Sequence, residues 1–352
     1  MRILAIILSL LFIETSISDS LSAQNISLHR DFEIVNDELP ARIAVSPDGG
    51  LLAIAYRKSS FGNAIVKTWD VKTKLLRYER EVGVGVIRDL QFSPSSQTLA
   101  IVLNELTSVN IRFLDAANGD IKGDYVDRPK LNPRISNSIL SVTFSNKDDV
   151  LAIAQEDGSV RKIIRLLNIQ NLSHINIQKE NVFTLDGPQV QSLHFSPDDN
   201  YLALATSGSP SQYAGQVIVL DLKSGTTIFA RKEFGDANRV RFLPDRRVLA
   251  SGIDVDRKTG NQRAKAILID ITAGTSTPIG NMEIGGAGEV ALVNGTFLWT
   301  SSRTGFQLAT NRYVLKIKKA NAKAEISEIA ASSDANVFAI LTTRSTIEIF
   351  SF

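Results

Sequence analysis

One short apolar segment recurs along this chain, and its recurrence constrains the fold more than any other feature. It reads Leu52-Ala-Ile-Ala, Leu99-Ala-Ile-Val, Leu151-Ala-Ile-Ala, Leu202-Ala-Leu-Ala, Leu249-Ala-Ser-Gly, Leu298-Trp-Thr-Ser and Phe338-Ala-Ile-Leu, with successive starts 47, 52, 51, 47, 49 and 40 residues apart. A period of this size marks stacked supersecondary units, each burying its apolar faces against its neighbours. Before most copies stands a second strand ending in a turn: Val45-Ser-Pro-Asp-Gly, Phe92-Ser-Pro-Ser, Phe144-Ser-Asn-Lys, Phe195-Ser-Pro-Asp and Phe242-Leu-Pro-Asp. Proline presets φ for the first central turn position, and Asp or Asn accepts nearby backbone N–H groups, so this is a hairpin signal with a mechanism.

A third strand follows each copy, at 65–71, 109–116, 162–169, 216–222, 264–271, 312–318 and 346–352. Five of these end in a large residue and Asp or Asn: Trp69-Asp70, Leu114-Asp115, Leu167-Asn168, Leu220-Asp221 and Ile269-Asp270. A tight turn and a more polar fourth strand come next. Four strands per unit, the inner ones apolar on both faces, describe a sheet packed between two like sheets. A flat stack would leave two end sheets wet, and closing the stack into a ring removes those ends. The expectation is an all-β, seven-bladed β-propeller of four-stranded antiparallel sheets. Its blades span about 41–82, 87–127, 139–184, 190–234, 237–284, 288–325 and 326–352. The last unit runs out of chain after three strands, so the alternating segment at 26–35 is expected to supply its outer strand and close the ring. The sixth repeat is the weakest, lacking both the Ser-Pro-Asp turn and the terminal Asp, which leaves a six-bladed ring as the alternative.

The combination of Ser-Pro-Asp-Gly turn, Leu-Ala-Ile-Ala strand and Trp69-Asp70 resembles the WD-repeat family of β-propellers over about residues 26–352, in the divergent form found among exported bacterial propellers. Only Trp69-Asp70 keeps the signature dipeptide, and no Gly-His dipeptide opens a repeat.

Composition narrows the function. With 39 Lys+Arg against 37 Asp+Glu, the formal charge is +2, too small an excess for electrostatic nucleic-acid binding. Cysteine is absent, so disulfides, thiolate metal sites and cysteine nucleophiles are excluded. Arg2 and the apolar run from Ile3 to Ile13, followed by small residues up to Ala23, read as an export signal covering residues 1–23. The run is too short to span a bilayer, which takes about 20 residues. A single extracytoplasmic domain, 24–352, with no integral membrane segment is the expectation.

In a four-stranded meander, the turns joining the first and second strands share one end with those joining the third and fourth. The remaining loops and the crossovers between sheets share the other end. The sequence places its long connections there: Arg57–Ala64, Ser207–Gly215, Asp254–Arg263 and Ser301–Asn311 within units, and the crossover Val126–Ser138. Long loops on a rigid scaffold are where binding concentrates. These carry Arg57, Phe61, Arg128, Arg134, Tyr213, Arg257, Arg303 and Phe306, the aromatic and Arg anchors that interfaces favour.

A second candidate set stands at matching positions of the first strands: Gln91, Thr143, His194 and Arg241. These either face the central channel, where they could hold a small anion or polar ligand, or hydrogen-bond neighbouring sheets, the reading preferred here. Asp254 and Asp256 begin like a calcium loop, but Lys258 and Lys265 stand where oxygen ligands belong. Asp148-Asp149 and Asp198-Asp199 fall in hairpin turns and read as turn formers. No cofactor motif is present. The favoured function is a non-catalytic scaffold binding a protein or peptide through the long-loop face. The alternative is a propeller enzyme, lactonase-, hydrolase- or quinoprotein-like, with its site at the channel mouth.

Overall fold

Seven four-stranded antiparallel sheets make up the described protein, each ordered as a meander, except that the last takes one strand from the other end of the chain. The computed structural model describes residues 27–32 and 39–351 apart from 58–61, 106–107, 128–136, 158–160, 174, 187–188, 209–213, 256–258, 260, 280–289, 294–295, 301–304, 310–313, 319–325 and 343–346. The inner strands, in chain order, are Leu39–Val45, Val86–Phe92, Asn137–Phe144, Val190–Phe195, Asp236–Phe242, Val290–Val293 and Ile326–Ala331. Each contacts the inner strand before and after it, and Ile326–Ala331 contacts Leu39–Val45, so the sheets close on themselves as a β-propeller. In the last sheet Ser27–Phe32 pairs with Ile347–Ser351, through Ser27 with Ser351, Leu28 with Phe350 and His29 with Ile349.

The repeated Leu-Ala-Ile-Ala segment explains how sheets stack. Because side chains alternate across a strand, its large residues face one neighbour and its alanines the other. Ala53 and Ala55 pack against Leu99, Ile101 and Leu103 of the second sheet. Ala152 and Ala154 of the third sheet pack against Leu202 and Leu204 of the fourth. In the last sheet Ala339 and Leu341 meet Leu52 and Ile54 of the first. Large residues of one sheet thus sit on the alanines of the sheet before it at the first two of these joints, and at the closing joint on Ala339, with Leu341 taking the second small position.

The serine of the Ser-Pro-Asp turn has a structural task. Ser46 Oγ accepts the amide of Leu51 at 2.9 Å, and the same bond runs from Thr98, Val150, Tyr201 and Val337 to Ser93, Ser145, Ser196 and Ser332. All five serines are buried. Three residues after each of the first four, the chain takes a left-handed conformation, at Gly49, Ser96, Asp148 and Asp199. The aspartate ending the third strand works similarly. Asp115, Asp221 and Asp270 each accept the amides two and three residues on through one carboxylate oxygen, which shapes the turn into the fourth strand.

The expectation of seven like blades is corrected. Six blades share one construction, with a β-bulge at the same place on the inner strand, before Arg42, Asp89, Ser141, Ser192, Arg239 and Glu328. The remaining sheet, Val290–Val293, Thr296–Thr300, Gly305–Ala309 and Val314–Lys318, has strands of four or five residues and a register without a bulge. Its strand order also departs from expectation. The segment at 312–318, expected as the third strand, is the fourth, and the third is Gly305–Ala309, drawn from what the sequence presented as a long loop. Alternation in Gly305-Phe-Gln-Leu-Ala is a valid strand pattern, but with no Asp at its end nothing marked it as one.

The fifth repeat is shifted by one residue. Phe242 pairs with Val248, as Phe195 pairs with Leu202, so Val248 and not Leu249 occupies the repeat position. Leu243-Pro-Asp-Arg-Arg closes with an amide-to-carbonyl bond from Leu243 to Arg247, one residue shorter than the Ser196-to-Tyr201 closure. A one-residue change in turn length exchanges the two faces of the following strand.

Candidate functional site

The inner strands place the second candidate set. After its bulge, each of the six strands carries a polar or charged residue, and four of these, Arg42, Asp89, Ser192 and Glu328, bond to the next sheet. Asp89 Oδ2 accepts from the Val142 amide at 2.9 Å and the Ser141 hydroxyl at 3.1 Å. Ser192 Oγ accepts from the Val240 amide at 3.4 Å. Glu328 Oε2 accepts from the Ile43 amide at 3.1 Å, and its other oxygen lies 4.0 Å from Arg42 Nε and 3.6 Å from Arg239. Arg42 Nε donates to the Arg88 carbonyl at 2.9 Å.

Two residues further on stand Gln91, Thr143, His194 and Arg241. Thr143 is buried, and the other three are half-buried. His194 Nδ1 accepts from the Phe242 amide at 3.2 Å, again joining one sheet to the next, and lies 2.7 Å from the Phe195 carbonyl. Burial, with the nearby Arg241 charge added, lowers its pKa to about 3, against a smaller opposing effect of the Phe195 carbonyl. The ring is therefore neutral at physiological pH, an acceptor or donor and not a cation.

Of the loop-face candidates, Arg57 ends the strand Leu51–Arg57, half-buried and paired across the ladder with Ala64. Phe306 lies on the strand Gly305–Ala309, opposite Thr300 and Ile317. Phe61, Arg128, Arg134, Tyr213, Arg257 and Arg303 lie outside the described residues. Asp254 is exposed opposite Arg263, and Asp256 lies outside the described residues. Among the described residues no group of three His, Cys, Asp or Glu side chains could hold a metal, and no helix is long and apolar enough to cross a membrane.

The paired aspartates are tied into the opposite, short-turn face. Asp148 Oδ2 accepts from the Ser95 amide of the preceding sheet at 3.1 Å, and Asp199 Oδ1 accepts from the Asn146 amide at 2.8 Å. Asp198 is held below the usual carboxylate range first by the Ser196 hydroxyl. On this face lie two shallow cavities between adjacent sheets. One, of about 340 Å³, is bordered by Asp70, Arg77, Asp115 and Lys122, and the other, of about 290 Å³, by Lys147, Asp149, Asp199 and Lys223. Their charges are paired at the first, where Arg77 meets Asp70 at 3.0 Å and Lys122 meets Asp115 at 3.6 Å.

Sequence reasoning missed the residues that follow the bulge. Strict alternation sets an inner strand's faces, and a bulge inserts one residue without a sequence mark of its own. The recurrence of Arg42, Asp89, Ser141, Ser192, Arg239 and Glu328 three residues before the end of apolar strands was the available signal.

No protein-family model matches the chain, and no curated protein does. Among solved structures it is similar to the β-propeller domain of Cps50 (Swd1) from Myceliophteria thermophila, with a TM-score of 0.64 at 11% identity over 93% of this chain and 99% of that one. It is also similar to hydrazine synthase of Kuenenia stuttgartiensis, with a TM-score of 0.71 at 12% identity over 95% of this chain and 99% of that one. At such identities the likeness establishes the β-propeller fold and nothing finer.

Proposed function

We propose that this protein is a non-catalytic, exported β-propeller that binds a protein or peptide through the face carrying its long loops and crossovers. One observation carries the reading. The inner-strand groups that could serve chemistry, Asp89, Ser192, His194 and Glu328, are engaged in bonds from one sheet to the next. A rigid ring leaves its loops as the variable surface, which is how propeller-like scaffolds present binding residues. Export rests on the N-terminal sequence, and the WD-repeat-like pattern agrees with a scaffold role.

The test compares capture from the native extracytoplasmic fraction by the wild-type chain and by a Phe61→Ala/Tyr213→Ala/Arg128→Ala variant of unchanged circular dichroism. A partner retained by the wild type and lost by the variant supports the reading. Capture that the triple substitution leaves intact overturns the loop face as the binding surface.

A further inference from the structure

On three of the six bulged inner strands the residue at the bulge is exposed, and on the other three it is half-buried. Arg88, Gln191 and Ser327 are exposed there, whereas the residue two further on is buried in every one of the six. A bulge turns an extra residue out of the ladder. Since inner strands adjoin one another around the axis, this column borders the channel, at the end where the crossovers enter, which is the long-loop face.

Charge in this region is uneven. The inner strands carry Arg42, Arg88, Arg239 and Arg241 against Asp89, Asp236 and Glu328. All three acids are engaged: Asp89 by the donors of the third sheet, Asp236 by the Gly208 amide at 2.6 Å, and Glu328 by Ile43, Arg42 and Arg239. Arg88 is exposed, and among the described residues no ion pair or hydrogen bond engages its guanidinium. Arg42 stands beside it, fixed by donation to the Arg88 and Ala41 carbonyls at 2.9 and 2.8 Å.

We propose that the channel mouth on the long-loop face receives a side-chain carboxylate of an acidic peptide, contacted by Arg88 and with Arg42 as positioning residue. The proposal rests on the peptide-binding reading of the same face and names the chemistry of its partner. An exposed guanidinium offers a carboxylate two parallel N–H donors. Arg42 acts by holding the Arg88 backbone in place.

The experiment titrates the full chain against fluorescein-labelled hexaglutamate, followed by fluorescence anisotropy, with labelled hexaserine as control. The wild type is expected to bind hexaglutamate, more weakly as salt rises, and not hexaserine. Arg88→Glu is expected to weaken binding at least about tenfold, close to 1.4 kcal/mol. Arg88→Lys, which keeps the charge, is expected to retain most of it. Lys223→Glu makes the same charge change on the short-turn face and is expected to leave binding unaltered. Because the Arg88 side chain is exposed and has no bonding partner among the described residues, these variants keep the wild-type circular dichroism. Absence of wild-type binding at about 1 mM peptide, Arg88→Glu binding like wild type, or equal loss in Lys223→Glu would each overturn the proposal. The loop triple variant separates the two readings. If it captures the partner normally while Arg88→Glu loses hexaglutamate, the loop surface falls and the channel site stands. If Arg88→Glu keeps hexaglutamate while the loop variant loses its partner, the reverse holds.

Discussion

His194 and Phe242 stand on neighbouring inner strands, and the Phe242 amide donates to His194 Nδ1 at 3.2 Å. The bond needs that nitrogen without a proton, which places the neutral ring's proton on the other nitrogen. Protonating Nδ1 redirects it to the Phe195 carbonyl, 2.7 Å away, and leaves the Phe242 amide unpaired at the joint between two sheets. A residue that the sequence offered as a channel candidate is therefore part of the seam.

A pH dependence follows. The folded-state pKa of His194 is lowered from 6.5 to about 3, so folding opposes its protonation. Its contribution to stability is whole above the unfolded value of about 6.5 and declines as pH falls through that value toward 3, by at most about 1.4 kcal/mol per pH unit. His194→Phe is expected to cost about 1–3 kcal/mol at neutral pH by orphaning the Phe242 amide. Urea unfolding at several pH values is the measurement, and the gap between wild type and variant should narrow from about pH 7 to 4.5. A gap that holds constant would mean that the histidine titrates freely in the folded protein.

Ser196 offers a second test. Its hydroxyl accepts the Tyr201 amide at 2.9 Å and donates to Asp198 at 2.6 Å, in a buried turn. Ser196→Ala should cost about 1–3 kcal/mol through the unpaired amide. It should also raise the Asp198 pKa, since that hydroxyl is the largest cause of its depression. Asp198 stabilises the folded state above its ordinary value of 3.8 and loses that contribution as pH falls through the lowered folded-state value, so the variant should show less acid sensitivity in that range. Carboxyl NMR titration reads the pKa, and thermal unfolding reads the stability.

The stacking of large residues on alanines predicts a compensation. Leu202 is fully buried against Ala152 and Ala154 of the sheet before it. Leu202→Ala should cost about 2–5 kcal/mol by leaving a cavity. Ala152→Leu alone should cost about 1–3 kcal/mol by overpacking. Combined, they should cost less than the sum, because the added side chain enters the space vacated. Chemical denaturation of the four proteins closes the cycle, and strict additivity would show that the two positions do not meet.

Much of this architecture was legible because its determinants are local. Phe195-Ser-Pro-Asp turns and Leu220-Asp221 strand ends carry their own backbone chemistry, and apolar strands without alternation announce burial on both faces. The serine's part was not read, because a hydroxyl accepting an amide five residues on leaves no pattern beyond the serine itself. The fifth repeat misled through Leu249-Ala, which copies the motif one residue out of phase with the turn. The sixth misled because nothing marks the end of Gly305–Ala309. His194 was visible as a candidate, and its engagement by Phe242 was not, since the two residues are 48 positions apart and meet only when adjacent repeats stack.

Pairing of Ser27–Phe32 with Ile347–Ser351 joins the two ends of the described chain in one sheet, and among the described strands Ser27–Phe32 is the only outer one that arrives from another part of the sequence. Without it, the backbone groups of Ile347–Ser351 that face outward lose their partners, and the last sheet keeps three strands. The three that remain still hold Ala339 and Leu341 against Leu52 and Ile54, so the ring stays shut at its inner seam while its rim loosens. Deleting residues 1–32 should therefore lower the melting temperature and raise hydrogen exchange selectively in Ile347–Ser351 and Val337–Thr342. Deleting residues 1–24 should leave both unchanged. Exchange that rises equally in all the sheets would show that the strand holds the whole ring and not one blade, and a melting temperature unmoved by the longer deletion would show that the joint is closed without it.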